Sequence, residues 1–316
     1  MKPMNLAYIP SPTFSKFQIG PVTIRMYAVC ILIGVCFAVW ILTRRWKRVG
    51  GTFDQVLDTT LVAVPSGLVG ARLYHCITTP SAYFPPTGSL VNILKVWEGG
   101  MAIFGGIGVG ALAAFLWCRH KRYPFALLAD CLAPGLLVAQ AIGRLGNWFN
   151  QELFGWPTTL PWGLKLNDSA DAIGSTEVCY QGTACPSGTL FHPTFLYEMI
   201  WNLIGAALIV WIGRRFADRL KAGQQFAMYM IWYGLGRTWI ENVRINYSTV
   251  ILGLRTNVWT AILVFLAGCV LFAALHRVGR ETSTLAARLT AVTADELERQ
   301  RQAEERSEDE HARNDD

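Results

Sequence analysis

The stretch VTIRMYAVCILIGVCFAVWILT at residues 22–43, followed at once by RRWKR at residues 44–48, decides the class of fold. A predominantly apolar run of this length is sufficient for a helix to cross the roughly 30 Å hydrocarbon core of a bilayer. A basic cluster directly after such a run is typical of the cytoplasmic end of a membrane helix. Because the run is long enough to span and ends in charge, we expect it to remain in the chain as an anchor.

The composition of the whole chain agrees with a membrane protein. Of 316 residues, 52% are hydrophobic and only 16% are charged, and the mean hydropathy is +0.31. These values exclude a disordered chain and an ordinary soluble globule. The formal net charge of +6 does not indicate a nucleic-acid partner, because the basic residues mostly bracket apolar runs, as orientation signals do.

Seven apolar runs predict an all-α polytopic membrane protein with seven transmembrane helices. The predicted spans are residues 22–43, 53–74, 99–118, 124–142, 193–213, 226–242 and 256–275. Basic clusters follow the first, third and fifth spans, which by the positive-inside rule places those ends in the cytoplasm. The amino terminus is therefore predicted outside and the carboxyl terminus inside.

This topology divides the chain into three parts. An extracytoplasmic arm at residues 1–21 precedes a membrane catalytic domain at residues 22–276, which has an extracytoplasmic loop at residues 147–192. A charged cytoplasmic tail follows at residues 277–316, and we expect it to be disordered or a surface helix. Cys179 and Cys185 fall in the outer loop, where an oxidised pair is chemically permitted but not required.

The polar segment GRLGNWFNQELFG at residues 143–155 ends the fourth span. Arg144 and Asn147 are three residues apart and would share a helical face. A guanidinium offers a planar fork that matches phosphate oxygens. The alternative is an interface anchor in which Arg144 only extends towards the headgroups.

Two further segments carry charge into the membrane, where an ionisable group costs about 2.5–3.5 kcal/mol on insertion scales. In YGLGRTWIENVR, residues 233–244, one helical stripe contains Tyr233, Arg237, Glu241 and Arg244. Mutual pairing of Arg237 with Glu241 would be a purely structural explanation. In HPTFLYE, residues 192–198, Glu198 is expected to hydrogen-bond a neighbouring helix.

Two local patterns predict structure and not chemistry. In WEGGMAIFGGIGVG, residues 97–110, Gly106 and Gly110 form a GxxxG pair that favours close helix packing. A nucleotide-binding loop is excluded there, because no strand-turn-helix unit surrounds the glycines. Thr52 followed by Gln55 predicts a capping box at the start of the second span. No metal-binding motif is present, so neither a metal nor another cofactor is predicted.

Together with IRMY at the start of the first span and the glycine segment, the motifs GRLGNWFNQE, HPTFLYE and YGLGRxxxE resemble those of prolipoprotein diacylglyceryl transferases, a family of bacterial plasma (inner) membrane enzymes. The resemblance covers about residues 20–275. It implies transfer of the diacylglyceryl group of phosphatidylglycerol to the lipobox cysteine of a prolipoprotein signal peptide, at the extracytoplasmic leaflet. The products are a thioether and glycerol phosphate, and the step is the first in lipoprotein maturation.

The resemblance also implies roles for individual side chains. Phosphatidylglycerol would be bound by five residues, namely Arg144, Asn147, Asn150, Glu152 and Arg237, with Glu152 ordering the loop or contacting the glycerol headgroup. The catalytic set would be Arg144, Arg237, Glu241, Tyr27 and Tyr233.

The base that accepts the thiol proton stays open at the level of sequence. Many relatives have a histidine just before the paired glycines of the third span, where this chain has Phe104. The predicted topology leaves His75 and His192 outside. Either histidine, Glu241, or a positive field without a protein base would account for thiolate formation.

Two rival functions use the same features. Intramembrane Arg and Glu also mark transport pathways, but no inverted repeat is apparent, and the polar residues gather at one interface. A transferase acting on other phospholipid or polyprenyl headgroups would suit the two arginines equally well, and only the family motifs argue against it. The oligomeric state is not predicted.

Overall fold

The computed structural model describes residues 8–20, 22–84, 88–95, 99–167, 188–245 and 249–314. Within these ranges the chain is mainly helical. The helices are α1 Met26–Arg48, α2 Phe53–Thr78, α3 Ile103–His120, α4 Phe125–Asn150, α5 Thr194–Arg215, α6 Gln224–Val243, α7 Thr256–Val278 and α8 Thr282–Asn314. The short strands are β1 Ile9–Pro10, β2 Lys16–Ile19, β3 Val22–Arg25, β4 Leu164–Lys165, β5 Leu190–Phe191, β6 Val250–Ile251 and β7 Leu254–Arg255.

Six helices of the described ranges are long and apolar enough to cross a membrane, namely α1, α2, α3, α4, α5 and α7. This confirms a helical protein with several membrane-spanning segments. The segment expected as the sixth span forms α6 but is not in that set. The glutamines at its start and Arg237 and Glu241 near its end lower its apolar content.

Two predicted spans begin too early. Val22–Arg25 is not the start of α1 but strand β3, which pairs antiparallel with β2 so that Lys16 lies opposite Arg25. Residues 99–102 are not helical either, since Gly99 and Gly100 have φ angles of 94° and 74° and α3 begins only at Ile103. In both cases strand pairing or left-handed backbone interrupts a run that is apolar enough to continue as a helix. Cys179 and Cys185, for which a disulfide was left open, lie outside the described residues.

The chain divides into two compact units, and the first comprises Met1–Ile41 and Asp130–Arg280. In it, α1 and α4 approach closely at two glycines. A Cβ atom on Gly34 would lie 2.9 Å from the Ala139 carbonyl oxygen, and one on Gly135 would lie 3.0 Å from that of Ala38. Small residues permit such backbone approach between membrane helices.

Asp130 on α4 fixes the start of α6 in the same unit. Its carboxylate accepts hydrogen bonds from the backbone N–H of Gly223 at 2.7 Å and of Phe226 at 2.9 Å. Gly223 has a φ of 93°, which an L side chain rarely adopts. A buried carboxylate at a helix amino terminus satisfies donors that have no partner within the helix.

A reciprocal tryptophan pair joins α5 to α6. The rings of Trp201 and Trp232 stack with centroids 4.3 Å apart. Each indole N–H donates to the backbone carbonyl of the other residue, at 3.1 and 3.0 Å. Gly205 and Gly236 leave room for the two rings. This contact sets the register between the helices that carry Glu198 and Arg237.

Short strands complete the first unit. A three-stranded sheet has the order β1-β4-β5, with β1 parallel to β4 and β4 antiparallel to β5. Beside it lies a cluster of buried apolar side chains. Its members are Phe154, Leu164, Phe191 and Phe195. The cluster packs residues after α4 against the start of α5.

The second unit comprises Leu42–Ala129 and Glu281–Asp316. Here α2 and α3 pack through glycines, since a Cβ atom on Gly110 would lie 3.4 Å from the Gly67 Cα and one on Gly106 would lie 3.4 Å from the Gly67 carbonyl oxygen. The predicted packing role of Gly106 and Gly110 is therefore confirmed. The predicted capping box of Thr52 and Gln55 is also present.

The carboxyl-terminal helix α8 packs onto the rest of the second unit. Leu285 and Leu289 are buried. The Gln55 side chain donates to the Thr293 hydroxyl at 3.0 Å and to the Glu296 carboxylate at 2.9 Å. The Tyr123 hydroxyl donates to the other Glu296 oxygen at 2.8 Å, and burial together with this carboxylate raises the pKa of Tyr123.

The packing of α8 yields a stability prediction. Leu289→Ala should lower the free energy of unfolding by about 2–4 kcal/mol, because it leaves a cavity at a side chain with 0% exposure. Leu297→Ala is the matched control, since Leu297 on the same helix is 46% exposed. Thermal unfolding in detergent compares the two. Equal melting temperatures for both variants would contradict the docking of α8.

Candidate active site

Glu198 on α5 is the centre of an ionic cluster in the first unit. Its Oε2 lies 2.6 Å from Nε of Arg144. Its Oε1 lies 2.7 Å from Nη2 of Arg244 and 3.3 Å from Nη1 of Arg237. The Glu198 side chain is only 6% exposed. One buried carboxylate thus holds three guanidinium groups, which come from α4, from α6 and from the residue directly after α6.

Glu241 forms a second centre one turn beyond Arg237. Its Oε2 lies 2.9 Å from Nη2 of Arg237 and 3.5 Å from Nη1 of Arg244. Its Oε1 accepts a hydrogen bond from Nδ2 of Asn257 at 2.9 Å and lies 3.9 Å from Nη1 of Arg255. Arg237 and Arg244 bridge the two carboxylates, so the six ionised groups form one network.

The network is cationic, since its four arginines face two glutamates. Buried charges need partners, because the desolvation of each ion is costly. Arg244 is 5% exposed and lies between both carboxylates. Arg144 and Arg237 keep 23% and 16% of their side chains exposed. Arg255 also keeps 21% of its side chain exposed. The excess positive charge is therefore accessible at Arg144, Arg237 and Arg255, which suits an anionic ligand.

A chain of amide contacts extends from Arg144 to Glu152. Nη1 of Arg144 donates to Oδ1 of Asn147 at 3.0 Å, and Nδ2 of Asn147 donates to Oε1 of Glu152 at 2.9 Å. Nδ2 of Asn150 reaches the same oxygen at 3.3 Å. Glu152 therefore contacts the two asparagines, and through Asn147 it helps to fix the plane of the Arg144 guanidinium.

The turn after α4 has an unusual backbone. Gln151 and Leu153 have φ angles of 52° and 58°. Gly155 forms an isolated bridge with Arg244, and its backbone N–H donates to the carbonyl of His192. A Cβ atom on Gly155 would lie 2.7 Å from the His192 Cβ and 2.8 Å from the Val243 carbonyl oxygen. Only a residue without a side chain fits between these two segments.

The two predicted tyrosines occupy different surroundings. Tyr27, in the first turn of α1, packs against Gly146, where an added Cβ would lie 2.6 Å from its ring. It therefore lies beside the turn of α4 that carries Asn147. Tyr233 stacks on Tyr229 with centroids 6.2 Å apart, and the Tyr229 hydroxyl accepts a hydrogen bond from Gln140.

The two candidate bases belong to different units. His192 lies between β5 and α5 with Nδ1 3.0 Å from the Tyr197 hydroxyl. Burial lowers the pKa of His192 below its ordinary value of 6.5, which favours the neutral imidazole. His75 is on α2, where its Nδ1 lies 2.9 Å from the Tyr83 hydroxyl. Phe104 is on α3 and is half exposed.

Four residues that contact the network were not predicted as site residues from the sequence. Glu198 and Arg244 were noted in their motifs but not as site residues, because one sequence cannot show that three cations converge on one carboxylate. Arg255 and Asn257 were missed altogether. A signal for them existed, since an Arg at the predicted outer end of an apolar span is disfavoured unless it has a local role.

Comparison with known proteins identifies the family of the chain. The family model described as prolipoprotein diacylglyceryl transferase matches residues 15–274. The chain belongs to the prolipoprotein diacylglyceryl transferase family. This match includes every residue of the ionic network and excludes α8.

Several curated relatives in this transferase family cover most of the chain, and all bear the name phosphatidylglycerol–prolipoprotein diacylglyceryl transferase. One from Bifidobacterium longum subsp. infantis is 78% identical over 305 residues, 96% of each chain. One from Bifidobacterium adolescentis is 62% identical over 93% of this chain and 88% of its own. One from Streptomyces coelicolor, whose name carries the number 2, is 47% identical over 92% and 88%.

The turn after α4 gives a prediction with an internal control. Gly155→Ala should destabilise the folded protein by about 1–3 kcal/mol, because the new methyl group clashes with the Val243 backbone. Gly143→Ala should be neutral or slightly stabilising, since nothing lies within 4 Å of its added Cβ and alanine favours the helix. Thermal unfolding of both variants in detergent measures the difference. A melting temperature for Gly155→Ala at or above that of Gly143→Ala would contradict the geometry.

Proposed function

We propose that this protein transfers the diacylglyceryl group of phosphatidylglycerol to the thiol of a lipobox cysteine in a prolipoprotein signal peptide. The observation that carries the proposal is the cationic network in which Arg144 and Arg237 are fixed yet partly accessible. Membership of the transferase family and the names of the relatives supply the substrates.

The charge of the site suits the chemistry. The incoming sulfur forms a bond to the glyceryl carbon, the bond from that carbon to the phosphate oxygen breaks, and glycerol phosphate leaves with the electron pair. Negative charge on the departing phosphate grows during this step. Fixed guanidinium groups stabilise such charge without reorganisation in a site of low dielectric constant. We assign this role to Arg144 and Arg237.

The other side chains support these two arginines. Glu198 and Glu241 hold the guanidinium groups at defined positions, and Asn147 with Glu152 orients Arg144. Asn150 adds a second amide contact to Glu152 and faces the headgroup with it. Tyr27, packed on α4 beside Asn147, and Tyr233, one turn before Arg237, would supply hydroxyl groups to the bound lipid.

We further propose a seven-span topology in which α6 is a span stabilised by its ion pairs. The amino terminus, including the arm at residues 1–21, would lie outside, and α8 would lie in the cytoplasm. Basic residues after α1, α3 and α5 support this orientation. The network would then lie at the outer leaflet of the plasma membrane, where the lipobox cysteine arrives, and residues 22–276 would form the catalytic domain.

His192 is the proposed base, in preference to His75. It adjoins the backbone of the turn that holds Gly155 next to Arg244. A neutral imidazole can accept the thiol proton, and the thiolate is the nucleophilic form of cysteine. Glu241 is less suited, because the positive charges of Arg237 and Arg244 lie 2.9 and 3.5 Å from its Oε2 and stabilise the carboxylate, while Asn257 donates to its Oε1.

The assignment of the arginines predicts a loss of transfer without a loss of insertion. Arg144→Ala and Arg237→Ala should each lower kcat/KM by at least about a hundredfold, because a charge-assisted contact to the developing phosphate is lost. The assay follows labelled diacylglyceryl from phosphatidylglycerol to a lipobox peptide. Arg119→Ala, at the exposed end of α3, is the control and should retain activity.

Substrate analogues separate the rival functions. A peptide with serine in place of cysteine should accept no lipid if the acceptor is a thiol. Unchanged transfer by Arg144→Ala would remove Arg144 from the mechanism. Solute flux through protein-containing vesicles in the absence of any transfer would favour a transporter.

The base assignment predicts a pH dependence. Burial lowers the pKa of His192, so the neutral base persists at and above pH 6.5 and is lost as the pH falls through the lowered pKa. Wild-type kcat/KM should therefore fall in acid below pH 6.5. His192→Gln should be slower at neutral pH and should lack this acid limb, whereas His75→Gln should keep it. An unchanged acid limb in His192→Gln would assign the base elsewhere.

A further inference from the structure

The start of α7 contributes two side chains that contact Glu241 from the side opposite the arginine pair. Nδ2 of Asn257 donates to Oε1 of Glu241 at 2.9 Å. Nη1 of Arg255 donates to the backbone carbonyl of Glu241 at 3.0 Å and lies 3.9 Å from Oε1. The contacts therefore fix both the main chain and the carboxylate of one residue.

The two oxygens of Glu241 have separate partners. Oε1 is held by Asn257 and Arg255, whereas Oε2 faces Arg237 and Arg244. A carboxylate with one oxygen anchored cannot rotate freely about its last bond. Its second oxygen then keeps a fixed direction towards Arg237. The orientation of an arginine on α6 thus depends on a side chain of α7.

Helix packing provides a rigid base for this contact. A Cβ atom on Gly234 of α6 would lie 2.7 Å from the Ala261 carbonyl oxygen of α7, so the two backbones touch about two turns before Glu241 on α6. Gly268 makes a similar approach to Ile231. Asn257 is one turn before Ala261, and its position relative to Glu241 follows from this register.

We propose that Asn257, supported by Arg255, is a positioning residue for the transfer reaction, which acts by orienting Glu241 and through it Arg237. This inference rests on the proposed function of Arg237. Asn257 has no charge of its own and lies on an exposed part of α7. Its replacement should leave the fold intact but should allow the Arg237 guanidinium to adopt other orientations.

The single substitution tests the size of the effect. Asn257→Ala should lower kcat/KM roughly tenfold, as expected for the loss of one hydrogen bond to a charged group. Its melting temperature should match that of the wild type. Asn257→Gln, which keeps the amide donor, should recover part of the activity. Thr260→Ala, one turn further along α7 with only a hydrogen bond to Thr256, should behave as wild type.

A double-mutant cycle tests the route. If Asn257 acts through Glu241, then Glu241→Gln combined with Asn257→Ala should be no slower than Glu241→Gln alone. Losses that multiply in the double variant would overturn the proposal, as would wild-type kcat/KM in Asn257→Ala. These results differ from a failure of the proposed function, because in that case the wild-type protein itself would transfer no diacylglyceryl group.

Discussion

Two carboxylates buried among four guanidinium groups impose the main constraint on this protein. An unpaired charge at membrane depth is costly, so each member of the network must meet its partners. Glu198 alone contacts arginines of α4, of α6 and of the segment that follows α6. The first unit must therefore bring at least three helices to one point. Much of its packing can be understood as the means of doing so.

Glycines and tryptophan side chains make the close contacts between the helices of the first unit. Trp201 and Trp232 exchange hydrogen bonds between α5 and α6, and Gly205 and Gly236 make room for them. Gly155 permits the turn after α4 to touch the backbone beside Arg244. Without a hydrophobic driving force between helices in lipid, such close contacts and hydrogen bonds supply the specificity of association. The arginines are consequently held in place before a substrate arrives, which is the condition for electrostatic catalysis.

Arrangement and charge together explain why the site suits an anionic lipid. The carboxylates neutralise part of the positive charge, and the most buried guanidinium, that of Arg244, lies between them. The positive charge that remains accessible belongs to Arg144, Arg237 and Arg255. In the proposed reaction, the amides that contact Glu152 would extend this region towards the glycerol headgroup of the lipid. A single arginine at an interface would bind phosphate weakly, whereas two guanidinium groups held in one network offer more charge-assisted contacts to a phosphate ester.

Length and apolar content predicted six of the helices that can span a membrane, with errors mainly at their ends. The errors have local causes, because strand β3 pairs with β2 and two glycines adopt left-handed backbone before α3. The capping box and the α2–α3 glycine contact were also predictable, since both depend on residues close together or on a fixed spacing. Whether α6 spans the membrane was harder to predict, because Arg237 and Glu241 lower its apolar content. The ion pairs that offset the cost of burying these charges are visible only in the tertiary structure.

The sequence by itself determined that the chain belongs in a bilayer, that it is helical, and which family motifs carry Arg144, Arg237 and Glu241. The tertiary structure decided which charges meet. Only the packing of α4, α5, α6 and α7 places Glu198 in contact with three arginines and Arg244 between two carboxylates. The same packing brings Asn257 within hydrogen-bond distance of Glu241. The physical reason is that helical periodicity fixes the face on which a residue lies but not the helix that the face will contact. The contacts of Glu198 with residues 39, 46 and 54 positions away follow from helix packing.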